Sequence, residues 1–239
     1  MCLIVYSPTG ILIERRVFDR ARFVNPDGIG VMSSEGARKF LGPHAGERGW
    51  RYLRHLGSLR IRHGIHLRWA THGAITHSNC HPFRARHSDA LVMHNGMIAH
   101  TAPFATLARS DTALFVEHYM SGAPGPEASN YQSYYQAIGE ILGIDNTLLV
   151  FHGLTDSFTV CNESSGEWIG EHWYSNTYSL PWDMGGPDWE LAGVSGTEFL
   201  EEVSFIDEYQ KWIRYDAQFP SERSLDLRSA LIADEPGDG

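Results

Sequence analysis

Apolar and polar residues follow two different periods along this chain. Alternation over short segments predicts strands, whereas apolar residues that recur every three or four positions predict helices. The predicted strands are Cys2–Tyr6, Gly10–Ile13, Ile29–Met32, Ile65–Ala70, Ala90–Met93, Thr147–His152, Ser157–Cys161 and Glu167–Tyr174. The predicted helices are Glu35–Leu41, Arg48–Leu59, Thr112–Met120, Ser129–Leu142 and Phe205–Tyr215. Because these elements lack a regular β-α-β order, the pattern predicts an α+β fold with mostly antiparallel sheets.

A single domain is expected to account for most of the length. The 239 residues are enough for one large domain, which we expect to cover residues 1–217. Residues 218–239 are rich in Asp, Glu, Ser and Pro, and this composition predicts a flexible acidic tail.

The composition excludes several classes of protein. A hydrophobic content of 42% with seven tryptophans is too apolar for a disordered chain. No segment reaches the roughly 18 apolar residues of a membrane helix, and the first residues lack the features of a secretory signal. The three cysteines, Cys2, Cys80 and Cys161, are too few and too scattered for a disulfide framework. We therefore expect a cytoplasmic protein with no membrane partner.

Charge is distributed unevenly between the two halves. The net charge of −10 is the sum of +8 over residues 1–100 and −18 over residues 101–239. Such asymmetry predicts either a basic binding face or two halves that fold against each other. No nucleic-acid-binding motif accompanies the basic half, so nucleic acid is not expected as a partner.

Histidines are concentrated in the first half, which makes a metal site one interpretation. The crowded histidines are His63, His66, His72, His77, His81, His87 and His94. Their spacings match no compact zinc pattern and no paired cysteine accompanies them, so no metal is predicted.

Cys2 is the first candidate for chemistry. Removal of Met1 would leave a thiol and a free α-amine on one residue. The amine, with a pKa of about 7.7–8.0, could serve as general base for a thiol whose pKa is about 8.5. A single cysteine in an apolar first strand is also often a small buried side chain, so both interpretations stay open.

Three further segments carry candidate side chains. Arg68–Gly73, with the sequence RWATHG, offers an arginine suited to a carboxylate, and Asn79-Cys80-His81-Pro82 follows it. His94-Asn95-Gly96 offers two amide donors for an oxyanion, although Asn-Gly is also a common hairpin turn. Ser110-Asp111-Thr112 offers a carboxylate, although it is also an ordinary helix start.

The order and spacing of Cys2 and these segments resemble the class II (N-terminal nucleophile) glutamine amidotransferase domain. The resemblance covers roughly the first 120 residues through its motifs. It implies a four-layer αββα sandwich of the Ntn-hydrolase type. One position departs from the family pattern, because Leu3 stands where the family usually has glycine.

The resemblance also implies a role for each site residue. Cys2 would attack the glutamine side-chain amide and form a γ-glutamyl thioester, while Asn95 and the Gly96 amide would hold the oxyanion. Arg68 would pair with the substrate α-carboxylate and Asp111 with its α-ammonium group. The other residues expected to line the glutamine pocket are Trp69, Thr71, His72 and His81.

The expected activity is that of a glutaminase subunit without a cofactor. Its substrate would be L-glutamine, and its ammonia would pass to an acceptor on a separate synthetase, since no synthetase domain is recognised in this chain. Two alternatives stay open: a stand-alone amidase acting on another γ-glutamyl or small amide substrate, and a non-catalytic interaction protein of the same fold.

Overall fold

The computed structural model describes residues 2–186. The predicted helix Phe205–Tyr215, the predicted domain end at residue 217 and the predicted tail 218–239 lie outside the described residues. In chain order the strands are β1 (Leu3–Ser7), β2 (Ile29–Ser33), β3 (Gly36–Phe40), β4 (His63–Leu67), β5 (Phe83–Arg84), β6 (Ala90–Asn95), β7 (Thr147–His152), β8 (Ser157–Cys161), β9 (Glu167–Ile169) and β10 (His172–Tyr174). The α-helices are α1 (Arg15–Val24), α2 (Ala45–Ser58), α3 (Asp111–Tyr119) and α4 (Tyr131–Leu142).

The strands form two antiparallel sheets. The first has six strands in the order β3-β2-β4-β1-β10-β9, and the second has four in the order β5-β6-β7-β8. In the first sheet Leu3 pairs with Leu67, and in the second Asn95 pairs with Thr147. This is an α+β arrangement with antiparallel sheets, as the sequence predicts.

Each sheet is covered by two helices on one face. Alternate residues of a strand point to opposite faces, so Leu3 and Val5 of β1 pack with Phe18 of α1 and Leu53 of α2. On the second sheet, side chains of α3 and α4 cover one face of β6 and β7. The members of that cluster include Phe115, Val116, Ile138, Leu142, Val92, Leu148 and Val150.

The remaining faces of the two sheets contribute to a common apolar cluster. Ile4 and Met32 come from the first sheet, and Met93 and Leu149 come from the second. All four side chains are fully buried. The two sheets are therefore held together by removal of apolar surface from water, which is the main favourable term in folding.

Several predicted elements differ from the observed ones. The segment 35–41 is strand β3 rather than a helix, because a two-residue turn at Ser34 and Glu35 pairs it with β2, and this pairing overrides the helix propensity of Ala37 to Lys39. The segment 10–13 is irregular instead of a strand. The segment 167–174 is a hairpin of β9 and β10 rather than one strand.

Two elements were not predicted, helix α1 and the two-residue strand β5. α1 has no side-chain bond at its N-cap, Glu14, and carries no acidic residue in its first turn. Its apolar face consists of Val17, Phe18 and Ala21 among arginines, so the capping signals on which helix prediction relies are missing.

No helix within residues 2–186 is long and apolar enough to cross a membrane.

We predict that Gly30→Ala lowers the free energy of unfolding by about 1–3 kcal/mol, the usual cost of overpacking. A Cβ atom on Gly30 would lie 2.7 Å from the carbonyl carbon of His81 and closer still to its oxygen. Urea denaturation followed by tryptophan fluorescence measures the change. Gly153→Ala is the matched control, because the nearest atoms to its Cβ lie at 3.5 Å or more. Equal stability of the two variants would contradict the prediction.

Candidate active site

Cys2 lies directly before β1, and three hydrogen bonds fix its position. Its Sγ is 3.3 Å from the amide nitrogen of Trp69 and 3.3 Å from the carbonyl oxygen of the same residue. The backbone carbonyl of Cys2 accepts a hydrogen bond from Asn176 Nδ2 at 2.9 Å. The thiol is thus held against the first residues of the segment that follows β4.

The environment of Cys2 favours the neutral thiol. The residue keeps part of its surface exposed, yet burial around the sulfur raises the pKa of the thiol above its ordinary value. The Trp69 N–H bond and the nearby Arg68 charge lower this pKa, but they do not outweigh the burial. A nucleophile in this setting needs a base to remove its proton.

Leu3, which stands where the resembling family usually has glycine, is a core residue. Its side chain is fully buried in the cluster that β1 forms with α1 and α2. The departure from the family pattern is therefore accommodated on the helix-covered face of the sheet.

Arg68 follows the last residue of β4 and organises the loop after it. Its guanidinium group is buried and donates to three backbone carbonyls, those of His72 at 3.0 Å, Gly73 at 3.1 Å and Ala74 at 3.1 Å. The residue is only 3% exposed. Burial lowers the pKa of Arg68 from its ordinary value. Arg68 thus places a positive charge next to Cys2 and also holds the loop in place.

Asp27 is a buried carboxylate that lies outside the motifs of the sequence. Its Oδ2 accepts a hydrogen bond from the Ala70 amide at 2.7 Å, and its own amide donates to the Arg68 carbonyl at 2.9 Å. The Asp27 carboxylate is one of the groups that oppose the lowering of the Arg68 pKa. A carboxylate bonded to the chain beside Trp69 therefore forms part of the wall near Cys2.

Asn79 connects the Arg68 loop with the start of α3. Its Nδ2 donates to the carbonyls of Ala74 at 3.2 Å and Leu107 at 3.0 Å, while its Oδ1 accepts from the Ser110 amide at 2.9 Å. Asn79 belongs to the motif at 79–82 but has no predicted role. Its contacts are 5, 28 and 31 residues away along the chain, so no local pattern reveals them.

Asp111 is the first residue of α3 and is almost fully buried. Its Oδ2 accepts a hydrogen bond from the Ile98 amide at 3.0 Å. The Ser110 hydroxyl accepts from the Ala113 amide and caps the same helix. A carboxylate in the first turn is also favoured by the helix dipole, so the negative charge is stabilised where it stands.

Asn95 and Gly96 lie at the end of β6, two to three residues before the Ile98 amide that Asp111 binds. The Oδ1 of Asn95 is buried and has no hydrogen-bond partner in the part of the chain that the structure describes. Gly96 has φ +127°, a conformation that favours glycine.

His66 connects this region to the first sheet. Its Nε2 lies 3.0 Å from the carbonyl oxygen of His94, and the His81 ring stacks on His66 at 3.8 Å between centroids. Burial lowers the pKa of His66 to about 3 and lowers that of His81 well below its ordinary value. Both rings are therefore neutral near pH 7, and His66 donates from Nε2.

The predicted site residues differ in how they are placed. Hydrogen bonds and peptide bonds between chain neighbours together link Cys2, Arg68, Asp111 and the segment after Gly96 into one connected group, through Trp69 and Asn79. His72 belongs to that group through its backbone carbonyl, whereas His81 joins it by stacking. Thr71 is exposed and makes no hydrogen bond with the described residues.

Metal-binding geometry is not found in the described part of the chain. Within residues 2–186, no group of three or more His, Cys, Asp or Glu side chains is arranged to hold a metal ion.

We predict that iodoacetamide alkylates Cys2 of the folded protein at least about ten-fold faster than Cys80 or Cys161, because thiolate and access both govern the rate. Cys2 is partly exposed, whereas the other two are buried, and burial raises the pKa of Cys80 to about 11 and of Cys161 to about 12. Mass spectrometry of timed digests measures the alkylation rate of each cysteine. Alkylation of Cys80 as fast as Cys2 would contradict the prediction.

Comparisons with known proteins give partial matches. No protein-family model matches the chain. It is 33% identical over 88 residues to the glutamine–fructose-6-phosphate aminotransferase (isomerizing) of Fusobacterium nucleatum, covering 36% of this chain and 13% of that protein. It is 33% identical over 108 residues to the enzyme of the same name from Acidithiobacillus ferridurans, covering 40% of this chain and 16% of that protein. The chain is thus similar to a small part of two glutamine–fructose-6-phosphate aminotransferases.

Proposed function

We propose that this chain hydrolyses the side-chain amide of L-glutamine as a class II glutamine amidotransferase domain, with Cys2 as nucleophile. The observation that carries the proposal is the connected group in which hydrogen bonds and chain neighbours link Cys2 to Arg68, Asp111 and the segment after Gly96. The partial similarity to two aminotransferases named for glutamine supports the same substrate.

The fold we propose is the four-layer αββα sandwich of the Ntn-hydrolase type. The three apolar clusters support it, because one lies between α1, α2 and the first sheet, one between the sheets, and one between the second sheet and α3, α4. In such a sandwich the ends of β1, β4 and β6 would open onto one site.

The charges suit a zwitterionic substrate. Glutamine carries an α-carboxylate and an α-ammonium group, so its site needs one cation and one anion that are held apart. Arg68 keeps Nε–H and one Nη1 proton without a partner among the described residues, and Asp111 keeps Oδ1. We assign the carboxylate to Arg68 and the ammonium group to Asp111.

The reaction would begin once Met1 has been removed. The free α-amine of Cys2 takes the thiol proton, and the thiolate attacks the side-chain carbonyl carbon of glutamine. Asn95 and the Gly96 amide donate to the resulting oxyanion. The C–N bond then breaks, and the α-ammonium group of Cys2 gives the proton to the leaving ammonia. Water then hydrolyses the thioester to glutamate.

The fate of the ammonia is part of the proposal. It would pass to an acceptor on a separate synthetase in the cytoplasm, because release into solution would waste the glutamine consumed.

We predict that the mature protein releases glutamate from L-glutamine and that Cys2→Ala abolishes the release. A coupled glutamate assay, alone and with candidate synthetases, measures the reaction, and a mass spectrum of the intact protein verifies that Met1 is absent. Wild-type protein with a free Cys2 that behaves like Cys2→Ala under all these conditions would refute the proposed function.

We predict that Asp111→Asn raises the KM for glutamine about 10–100-fold, because a charged hydrogen bond is worth about 1.5–3 kcal/mol. The asparagine keeps an oxygen for the Ile98 amide, so stability and kcat should change little. Glu117→Gln is the matched control, since Glu117 lies on the same helix and pairs with Arg86 and Arg109. Steady-state kinetics separate the two variants, and equal KM values would contradict the assignment of Asp111.

A further inference from the structure

Asn146 lies outside every motif considered above, yet its side chain reaches the segment that carries Asn95 and Gly96. It occupies the connection between α4 and β7 and is 6% exposed. Its Nδ2 donates to the carbonyl of Leu142 at 2.8 Å. Its Oδ1 lies 2.9 Å from His94 Nε2. Asn146 thus joins the end of α4 to the histidine directly before Asn95.

These contacts fix the proton positions on His94. A carbonyl oxygen can only accept, so the nitrogen of the Asn146 amide faces Leu142 and its oxygen faces His94. His94 therefore donates from Nε2. Burial lowers the pKa of His94, so the ring is neutral and its Nδ1 accepts from the Thr112 hydroxyl at 2.9 Å. The ring is held from two sides, by the α4–β7 connection and by α3.

Asn146 also packs directly behind Gly96. A Cβ atom on Gly96 would contact the Asn146 Oδ1 and would lie 2.8 Å from its Cγ. The backbone of Gly96 can therefore shift toward Asn146 only if that side chain moves. Asn95 is held in the same place by its pairing with Thr147, the residue after Asn146.

Asp111 has anchors of its own besides its indirect link to Asn146 through His94 and Thr112. The Ser110 cap and the bond from the Ser110 amide to Asn79 anchor the start of α3, and the Ile98 amide holds the carboxylate. Loss of the Asn146 side chain should therefore displace the Asn95–Gly96 segment, which it contacts directly, much more than Asp111.

We propose that Asn146 is a positioning residue for the oxyanion donors: through His94 and through direct contact with Gly96, it holds Asn95 and the Gly96 amide in the geometry that the transition state requires. This inference rests on the proposed function. Donors aimed at a developing oxyanion act in the transition state, so a displaced donor lowers kcat and leaves glutamine binding intact.

The first test is Asn146→Ala in the full chain. We expect kcat for glutamine hydrolysis to fall about 10–100-fold, because small displacements of reacting groups can cost about 100-fold. KM should stay within about threefold, and the Kd of glutamine, measured by calorimetry on a Cys2→Ala background, should not change. An unchanged kcat, or a rise in KM as large as the fall in kcat, would overturn the proposal.

Asn162→Ala is the matched control. The Nδ2 of Asn162 donates to the carbonyls of Gly139 at 3.3 Å, Gly143 at 2.9 Å and Asn146 at 2.8 Å. Removal of the Asn162 side chain loosens the connection between α4 and β7 but keeps the bond between Asn146 Oδ1 and His94. We expect a comparable loss of thermal stability with a much smaller loss of kcat. Equal losses of kcat in both variants would show a general loosening and overturn the positioning role.

Asn146→Asp tests the link to His94 and carries the test if the alanine variant does not fold. A carboxylate at this position favours the imidazolium form of His94, which cannot accept from Thr112. The other titratable groups near His94 are Asp111 on α3, His66 on β4 and His81 before β5. A raised pKa means that the His94 ring takes up its second proton at a higher pH. When the pH is lowered, kcat of Asn146→Asp should therefore begin to fall at a higher pH than kcat of the wild type.

Identical pH profiles for Asn146→Asp and the wild type would overturn the link. A wild-type protein that releases no glutamate overturns the proposed function and this inference together. An active wild type with Asn146→Ala equal to Asn162→Ala overturns the positioning role alone.

Discussion

The buried hydrogen bond from His66 to the carbonyl oxygen of His94 fixes how the two sheets meet at the candidate site. It lies beside an apolar interface, where an unmade hydrogen bond is costly because water cannot replace the partner. Burial lowers the His66 pKa to about 3, so the ring is neutral and its single proton is on Nε2, where the bond needs it. β4 leads into Arg68 and β6 ends at Asn95, so this bond ties together the two halves of the proposed glutamine site.

The charges of the candidate site are balanced by backbone groups. Arg68 binds three carbonyls and Asp111 binds one amide, and the ion pairs of residues 2–186 do not include one between these two side chains. A direct ion pair between them would compete with a zwitterionic substrate. These backbone hydrogen bonds reduce the desolvation cost of burying each charge. They use only some of the hydrogen-bonding positions of each side chain, so donor and acceptor positions are left for a ligand.

Sequence patterns predicted β7 and β8 with their observed ends, and they singled out the segment at 68–73, whose Trp69 bonds to Cys2. They did not predict β3, because strand pairing with β2 outweighed the local helix propensity. They also gave no role to Asn79 and Asn146. The contacts of these asparagines reach as far as 31 and 52 residues along the chain, and asparagine in a loop is usually read as a turn residue. Such residues become visible only when the fold brings their partners together.

The raised pKa of the Cys2 thiol bears on which base the proposed reaction would use. A thiol whose burial opposes ionisation gains little from the Trp69 amide alone, so its proton must go to a nearby acceptor. His66 and His81 are already too weakly basic, since burial lowers the pKa of both. The α-amine that removal of Met1 would expose on Cys2 has an ordinary pKa of about 7.7–8.0, matched to proton transfer near neutral pH. In the proposed mechanism His66 is then a neutral donor, His81 is a packing group, and the α-amine of Cys2 does the acid–base work.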